Sequence, residues 1–219
     1  MNRALRKAYL EALQIDSWVL RGEPTASSPG EARAADAWPV LTREVETCER
    51  CDLCKTRTRT VFGVGDRHAE WFVVGEAPGA DEDRQGEPFV GRAGQLLNAM
   101  LRAIGLGREQ VFIANVLKCR PPGNRDPQKS EIAECLPYLE RQISLVRPKM
   151  ILVVGRIAAQ TLLQTDAPLA RLRQKVHRFG ESGLPLVATY HPAYLLRTPS
   201  DKRRAWDDLK FARRVRAGG

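Results

Sequence analysis

The stretch from Trp71 to Asn115 opens with Trp71-Phe72-Val73-Val74-Gly75-Glu76-Ala77-Pro78-Gly79 and closes with Val111-Phe112-Ile113-Ala114-Asn115. Between these two short, almost continuously apolar runs, Leu96, Leu97, Met100, Leu101 and Ile104 share one face of a helical period that stops at Gly105. Short runs without polar alternation suit parallel strands covered on both faces, and a helix between them supplies the crossover that a parallel pair needs. Working outward, the alternation repeats. Met150-Ile151-Leu152-Val153-Val154 and Leu186-Val187-Ala188-Thr189-Tyr190 read as two more strands, and Ser130 to Val146 and Arg156 to Leu163 as two more helices. The pattern predicts a three-layer α/β/α sandwich around a central, mostly parallel four-stranded sheet.

Towards the N-terminus, Leu5, Tyr9 and Leu13 recur at four-residue spacing and predict a short amphipathic helix over residues 2–14. Gly22 to Pro39 is rich in Gly, Pro, Ala and Ser without periodicity and reads as a linker. The expected division is therefore an N-terminal helix and flexible linker over 1–45 and one α/β domain over 46–219. No apolar run approaches the ~20 residues that cross a bilayer, and the basic N-terminus leads into no apolar export segment. A cytoplasmic, monomeric protein with no membrane partner is the expectation. Lys and Arg number 35 against 26 Asp and Glu, a formal charge of +9, which favours a polyanionic partner through counterion release and steering.

In open α/β sheets, ligands bind beyond the carboxyl ends of the strands. The residues that follow the four strands are Gly75-Glu76-Ala77-Pro78-Gly79, Asn115, Gly155 and His191-Pro192, which bring an acid, an amide and an imidazole to one rim. Five cysteines without an export signal point to metal or cluster ligation rather than a disulfide framework. Cys48, Cys51 and Cys54 form C-x2-C-x2-C, and Cys119 and Cys135 lie far downstream. Spacing alone does not separate a four-cysteine zinc site from a [4Fe–4S] cluster and leans slightly to zinc; it leaves one cysteine spare, with Cys54 or Cys51 the ambiguous member. A buried free thiol is the competing reading, most of all for Cys135 among Ile132, Leu136 and Leu139.

Several separated segments together resemble one family. They are Cys48-x2-Cys51-x5-Arg57-Thr58, Val61-Phe-Gly-Val-Gly65, Gly75-Glu-Ala-Pro-Gly79, Gly86-Glu-Pro-Phe-Val-Gly91, Ala114-Asn-Val-Leu-Lys-Cys-Arg-Pro-Pro-Gly-Asn124 and His191-Pro-Ala-Tyr-Leu-Leu196. In this order they resemble the family 4 uracil-DNA glycosylases, the iron–sulfur members of the uracil-DNA glycosylase superfamily, over roughly residues 46 to 213. The resemblance implies an enzyme that flips uracil out of DNA and hydrolyses its N-glycosidic bond to leave an abasic site. It also implies Cys48, Cys51, Cys119 and Cys135 as ligands of a [4Fe–4S] cluster, with Cys54 spare, and so overturns the lean to zinc.

The same resemblance distributes the roles. Phe89 is similar to the aromatic on which a flipped base stacks. Asn115 is similar to the reader of the uracil edge, accepting from N3–H and donating to O4, where cytosine presents the opposite pattern at a cost of about a few kcal/mol. His191 is similar to the donor at O2, worth on the order of 3 kcal/mol by analogy with oxyanion-hole donors. Leu195 and Leu196 are expected to wedge into the duplex, and Arg197 to meet a phosphate. Ala77 and Gly79 stand where better-known relatives carry a water-positioning aspartate and a bulky block to the thymine methyl. Glu76, as the nearest carboxylate, joins His191 as a catalytic candidate, Ala77 and Pro78 line the base, and Glu82 is the candidate block near C5. Each has a plainer reading: Phe89 in the core, Asn115 as a turn former, Asp81-Glu82-Asp83 as a solvated acidic turn. The basic run Arg197 to Arg216 is either a solvated helix face or a phosphate contact. Two other functions compete: a zinc- or cluster-containing protein that binds damaged or single-stranded DNA without catalysis, and an enzyme acting on free nucleotides at the same rim.

Overall fold

The computed structural model describes residues 29–218. The helix expected over residues 2–14 lies outside the described residues. Of the chain's two compact units, Met1–Asp36 and Ala37–Gly219, the second holds the sheet.

Six strands run in the order β1-β3-β2-β4-β6-β5: β1 (Val64–Gly65), β2 (Trp71–Gly75), β3 (Phe112–Asn115), β4 (Met150–Val154), β5 (His177–Phe179) and β6 (Leu184–Thr189). The four central strands are the expected ones and are parallel, with Phe72 opposite Phe112 and Ile151, and Ile151 opposite Leu186. The expected count of four is corrected to six, because β1 and β5 add antiparallel edges. Both edge strands are too short, and β5 too polar, to register as strand patterns in the sequence.

The strands alternate between two cores, as a sheet covered on both faces must. Phe72, Val74, Phe112, Ala114, Ile151 and Val153 point to one side and pack beneath α1 (Pro29–Glu46), α4 (Lys129–Val146) and α5 (Arg156–Leu163). Trp71, Val73, Ile113, Leu152, Val154 and Val187 point to the other, beneath α3 (Arg92–Ala103), α7 (Pro192–Arg197) and α8 (Lys202–Ala217). Two small helices, α2 (Ala80–Gln85) and α6 (Leu169–Leu172), are the remaining α-helices among the described residues. The layers are those of an α/β/α sandwich. Helix α3 ends where its sequence stops it, Gly105 taking a φ of +83°.

The linker reading fails from Pro29 onward, and the second unit begins at Ala37 rather than at residue 46. Trp38, Leu41 and Val45 lie at i, i+3 and i+7 and are buried in the first core, with the Trp38 ring centroid 5.4 Å from that of Phe112. Burial of three large side chains, roughly 1.5–3 kcal/mol each, outweighs the ~3 kcal/mol by which Pro39 disfavours a helix interior.

Candidate active site

The carboxyl ends of β2, β3 and β6 open into one cavity of about 390 Å³, within the usual range for small-molecule sites. Glu76, Phe89, Asn115 and His191, distant in sequence, all line it. Ala77, Pro78, Glu82 and Arg197 line it too.

Glycines make that convergence sterically possible. A Cβ on Gly75 would stand 2.3 Å from Asn115 Oδ1 and 2.6 Å from Phe89 Cζ, so only hydrogen lets the amide and the ring close over the end of β2. Gly155, at φ +106°, suits glycine by its backbone, and a Cβ there would crowd His191 Cβ at 3.2 Å. Their role is absent from the sequence reading, although Gly75 opens one of the quoted motifs.

Asn115 ends β3, is 2 % exposed, and its Oδ1 has no hydrogen-bond partner. A buried acceptor left unpaired costs about 1–3 kcal/mol, which a ligand donor can recover. Phe89 holds a left-handed backbone, φ +54°, with its ring centroid 5.7 Å from that of His191 at an interplanar angle of 31°. Arg108 pins that loop, donating to Pro88 O at 2.5 Å and to the Glu87 carboxylate at 2.9 Å.

His191 caps the N-terminus of α7, its Nδ1 accepting from the Ala193 N–H at 3.1 Å, so the neutral ring carries its proton on Nε2. Burial, helped by the Arg197 guanidinium, pulls the imidazole down to about 4. At neutral pH it is therefore an uncharged donor. Burial, with the Asp126 charge second, pushes Glu76 up to about 7 against the pull of Arg156. Asp126, absent from the expected site, lines the same cavity and is held by Arg156 at 2.9 Å.

Glu82 acts as a clamp. Its Oε2 accepts from the Gly79 N–H at 3.1 Å, and its Oε1 from the Val90 and Gly91 N–H groups at 2.9 and 3.2 Å. One carboxylate thus ties the Gly75–Gly79 turn to the Phe89 loop; Asp83 next to it is buried and accepts from Thr58 N–H at 2.9 Å, so the solvated-turn reading does not hold for these two. Of the expected wedge, Leu195 is corrected: 1 % exposed, it packs in the second core because α7 turns that position inward. Leu196 is half-buried, and Arg197 is exposed at the cavity mouth.

Cys48, Cys51, Cys119 and Cys135 line another, smaller cavity, which Cys54 does not reach. Arg57 donates from Nη1 to Cys119 Sγ at 3.3 Å and to Cys48 O at 2.7 Å. The Lys118 N–H donates to Cys135 Sγ at 3.2 Å. Among the described residues no group of three or more His, Cys, Asp or Glu side chains is arranged to hold a single metal ion.

Residues 62–210 match the family model of the uracil DNA glycosylase superfamily. The chain is 47 % identical over 177 residues to a type-4 uracil-DNA glycosylase of Archaeoglobus fulgidus, covering 78 % of this chain and 88 % of that one. It is 42 % identical over 187 residues to the type-4 enzyme of Sulfurisphaera tokodaii, covering 82 % and 85 %, and 40 % identical over 182 residues to that of Saccharolobus solfataricus, covering 80 % and 84 %. With the rim of the sheet and these identities in agreement, the chain belongs to the uracil-DNA glycosylase superfamily and, within it, to the type-4 enzymes.

Proposed function

We propose that this protein removes uracil from DNA by hydrolysing its N-glycosidic bond. One observation carries the reading: Phe89, Asn115 and His191 meet in a single cavity in which the buried Asn115 Oδ1 has no partner. A glycosidic bond inside a duplex is out of reach of such a cavity, so the nucleotide must be flipped. The base then stacks on Phe89. Asn115 accepts from N3–H through Oδ1 and donates to O4 through Nδ2, and a cytosine in that place meets donor with donor and acceptor with acceptor.

As the C1′–N1 bond breaks, its electron pair passes to the base and negative charge grows on O2. His191, neutral and carrying its proton on Nε2, donates there without having to lose a charge. Water adds to C1′ of the sugar cation, and its proton passes to ionised Glu76, the carboxylate nearest the position that Ala77 leaves without one. Glu82 fills the space beside Gly79, where a Cβ would lie 2.7 Å from its Oε2, and so stands in for the missing bulk against a C5 methyl. Arg197 meets a phosphate at the mouth, with Leu196 as the remaining apolar wedge.

The four cysteines fit an anionic [4Fe–4S] centre. A four-thiolate centre carries net negative charge, and three basic residues, Arg50, Arg57 and Lys118, line the same cavity against one acid, Glu134. Cys48, Cys51, Cys119 and Cys135 line one cavity and supply the four thiolates that such a cluster takes. Bound there, the cluster would supply structure, joining the segment before β1 to the segment after β3 and to α4. The enzyme acts as a monomer in the cytoplasm. Incubation of purified protein with a uracil-containing oligonucleotide, followed by alkali, should cut the strand at uracil; intact strands with DNA binding retained would leave only a binding protein.

A further inference from the structure

Lys118 is the most deeply buried cation of the described residues, 1 % exposed, and among those residues the only charge that acts on it is that of Cys135. Removing an ammonium from water without a counter-ion is costly, so its three N–H donors must be used well. Its Nζ turns back along its own chain to donate to Asn115 O at 2.8 Å and reaches Gln142 Oε1 at 2.6 Å. Gln142, fully buried, in turn donates from Nε2 to Phe62 O at 2.9 Å. The Lys118 main chain is held as firmly: its N–H donates to Cys135 Sγ, and its carbonyl accepts from Val61 N–H at 2.8 Å. The neighbouring residues are fixed on the turn beyond β2, Val116 N–H on Gly75 O at 2.9 Å and Leu117 N–H on Glu76 O at 3.0 Å.

We infer that Lys118 is a positioning residue that links the cysteine centre to the base-reading amide, holding the Asn115 carbonyl from behind while its own backbone is fastened to a cysteine ligand. This rests on Asn115 reading the base. The side chain of Asn115 is aimed by the peptide that Lys118 grips, and without the ammonium that carbonyl has no donor in an apolar core. A cation is suited to the place because the thiolate centre beside it is negative, which a neutral side chain of the same length would not exploit.

Lys118→Met keeps the length and removes the donors. Measured on isolated holoprotein and compared at equal iron per chain, it is expected to keep its affinity for undamaged duplex while inhibition by free uracil weakens about tenfold, the scale of one misaligned buried hydrogen bond. Gln142→Leu, which releases only the far anchor of the ammonium, should weaken it less, and serves if Lys118→Met does not fold. Unchanged uracil inhibition in both variants, or loss of iron in step with loss of uracil affinity, overturns the inference, the second by reducing Lys118 to a support of the centre. Asn115→Ala in the same assay separates the two claims: if it too leaves uracil inhibition unchanged, the base-reading assignment has failed rather than the link to it.

Discussion

At the scale of single residues, His191 and Glu76 are set in opposite protonation regimes by their surroundings. The imidazole, pulled down to about 4, is neutral throughout the physiological range, so in the proposed role it donates at every working pH. His191→Ala should lower kcat about 10²- to 10³-fold with little change in KM, checked by single-turnover excision. Glu76, pushed up to about 7, changes charge where the enzyme works. If the ionised carboxylate takes the proton of the attacking water, kcat/KM rises as pH passes from 6 to 8, and the acid limb near 7 disappears in Glu76→Gln together with about 10²-fold of rate. A pH profile falling over the same interval contradicts that role. Asn115 and His191 were legible because they stand at strand ends, and Phe89 only through the family resemblance of its Pro88-Phe89-Val90-Gly91 segment. Asp126 was not, because it lies in a polar loop after Cys119 with no periodicity or motif to mark it.

At the scale of elements, the approach of β2, β3 and the Phe89 loop is set by what is absent at Gly75. Gly75→Ala places a methyl 2.3 Å from Asn115 Oδ1 and against the Phe89 ring, both held by their own elements. Overpacking of this kind costs about 1–3 kcal/mol, and here it displaces two cavity-lining side chains at once. Excision should fall by more than 10²-fold while the thermal transition stays cooperative. The parallel strands and the helices between them were readable from apolar runs and a 3.6-residue period. Helix α1 was hidden by its composition: Ala, Gly and Pro obscured Trp38, Leu41 and Val45, whose spacing is helical all the same. Trp38→Ala is expected to cost about 3–5 kcal/mol in urea unfolding; a change below 1 kcal/mol would mean that α1 is not part of this core. Leu195 shows the converse error, since a motif position read as a wedge faces the core once α7 is wound.

At the scale of the whole molecule, the sheet places Glu76, Asn115 and His191 at the ends of β2, β3 and β6 around one opening, and the loop before α3 brings Phe89 to it. The cysteine cavity lies behind that rim, and the segment from Asn115 to Cys119 belongs to both. Crystals of the protein with uracil bound test the convergence most directly. The ring should lie against Phe89, with N3 and O4 on the Asn115 amide and O2 within hydrogen-bonding distance of His191 Nε2. Uracil seated elsewhere, or bound in this cavity with Asn115 Oδ1 still unpaired, contradicts the assignment.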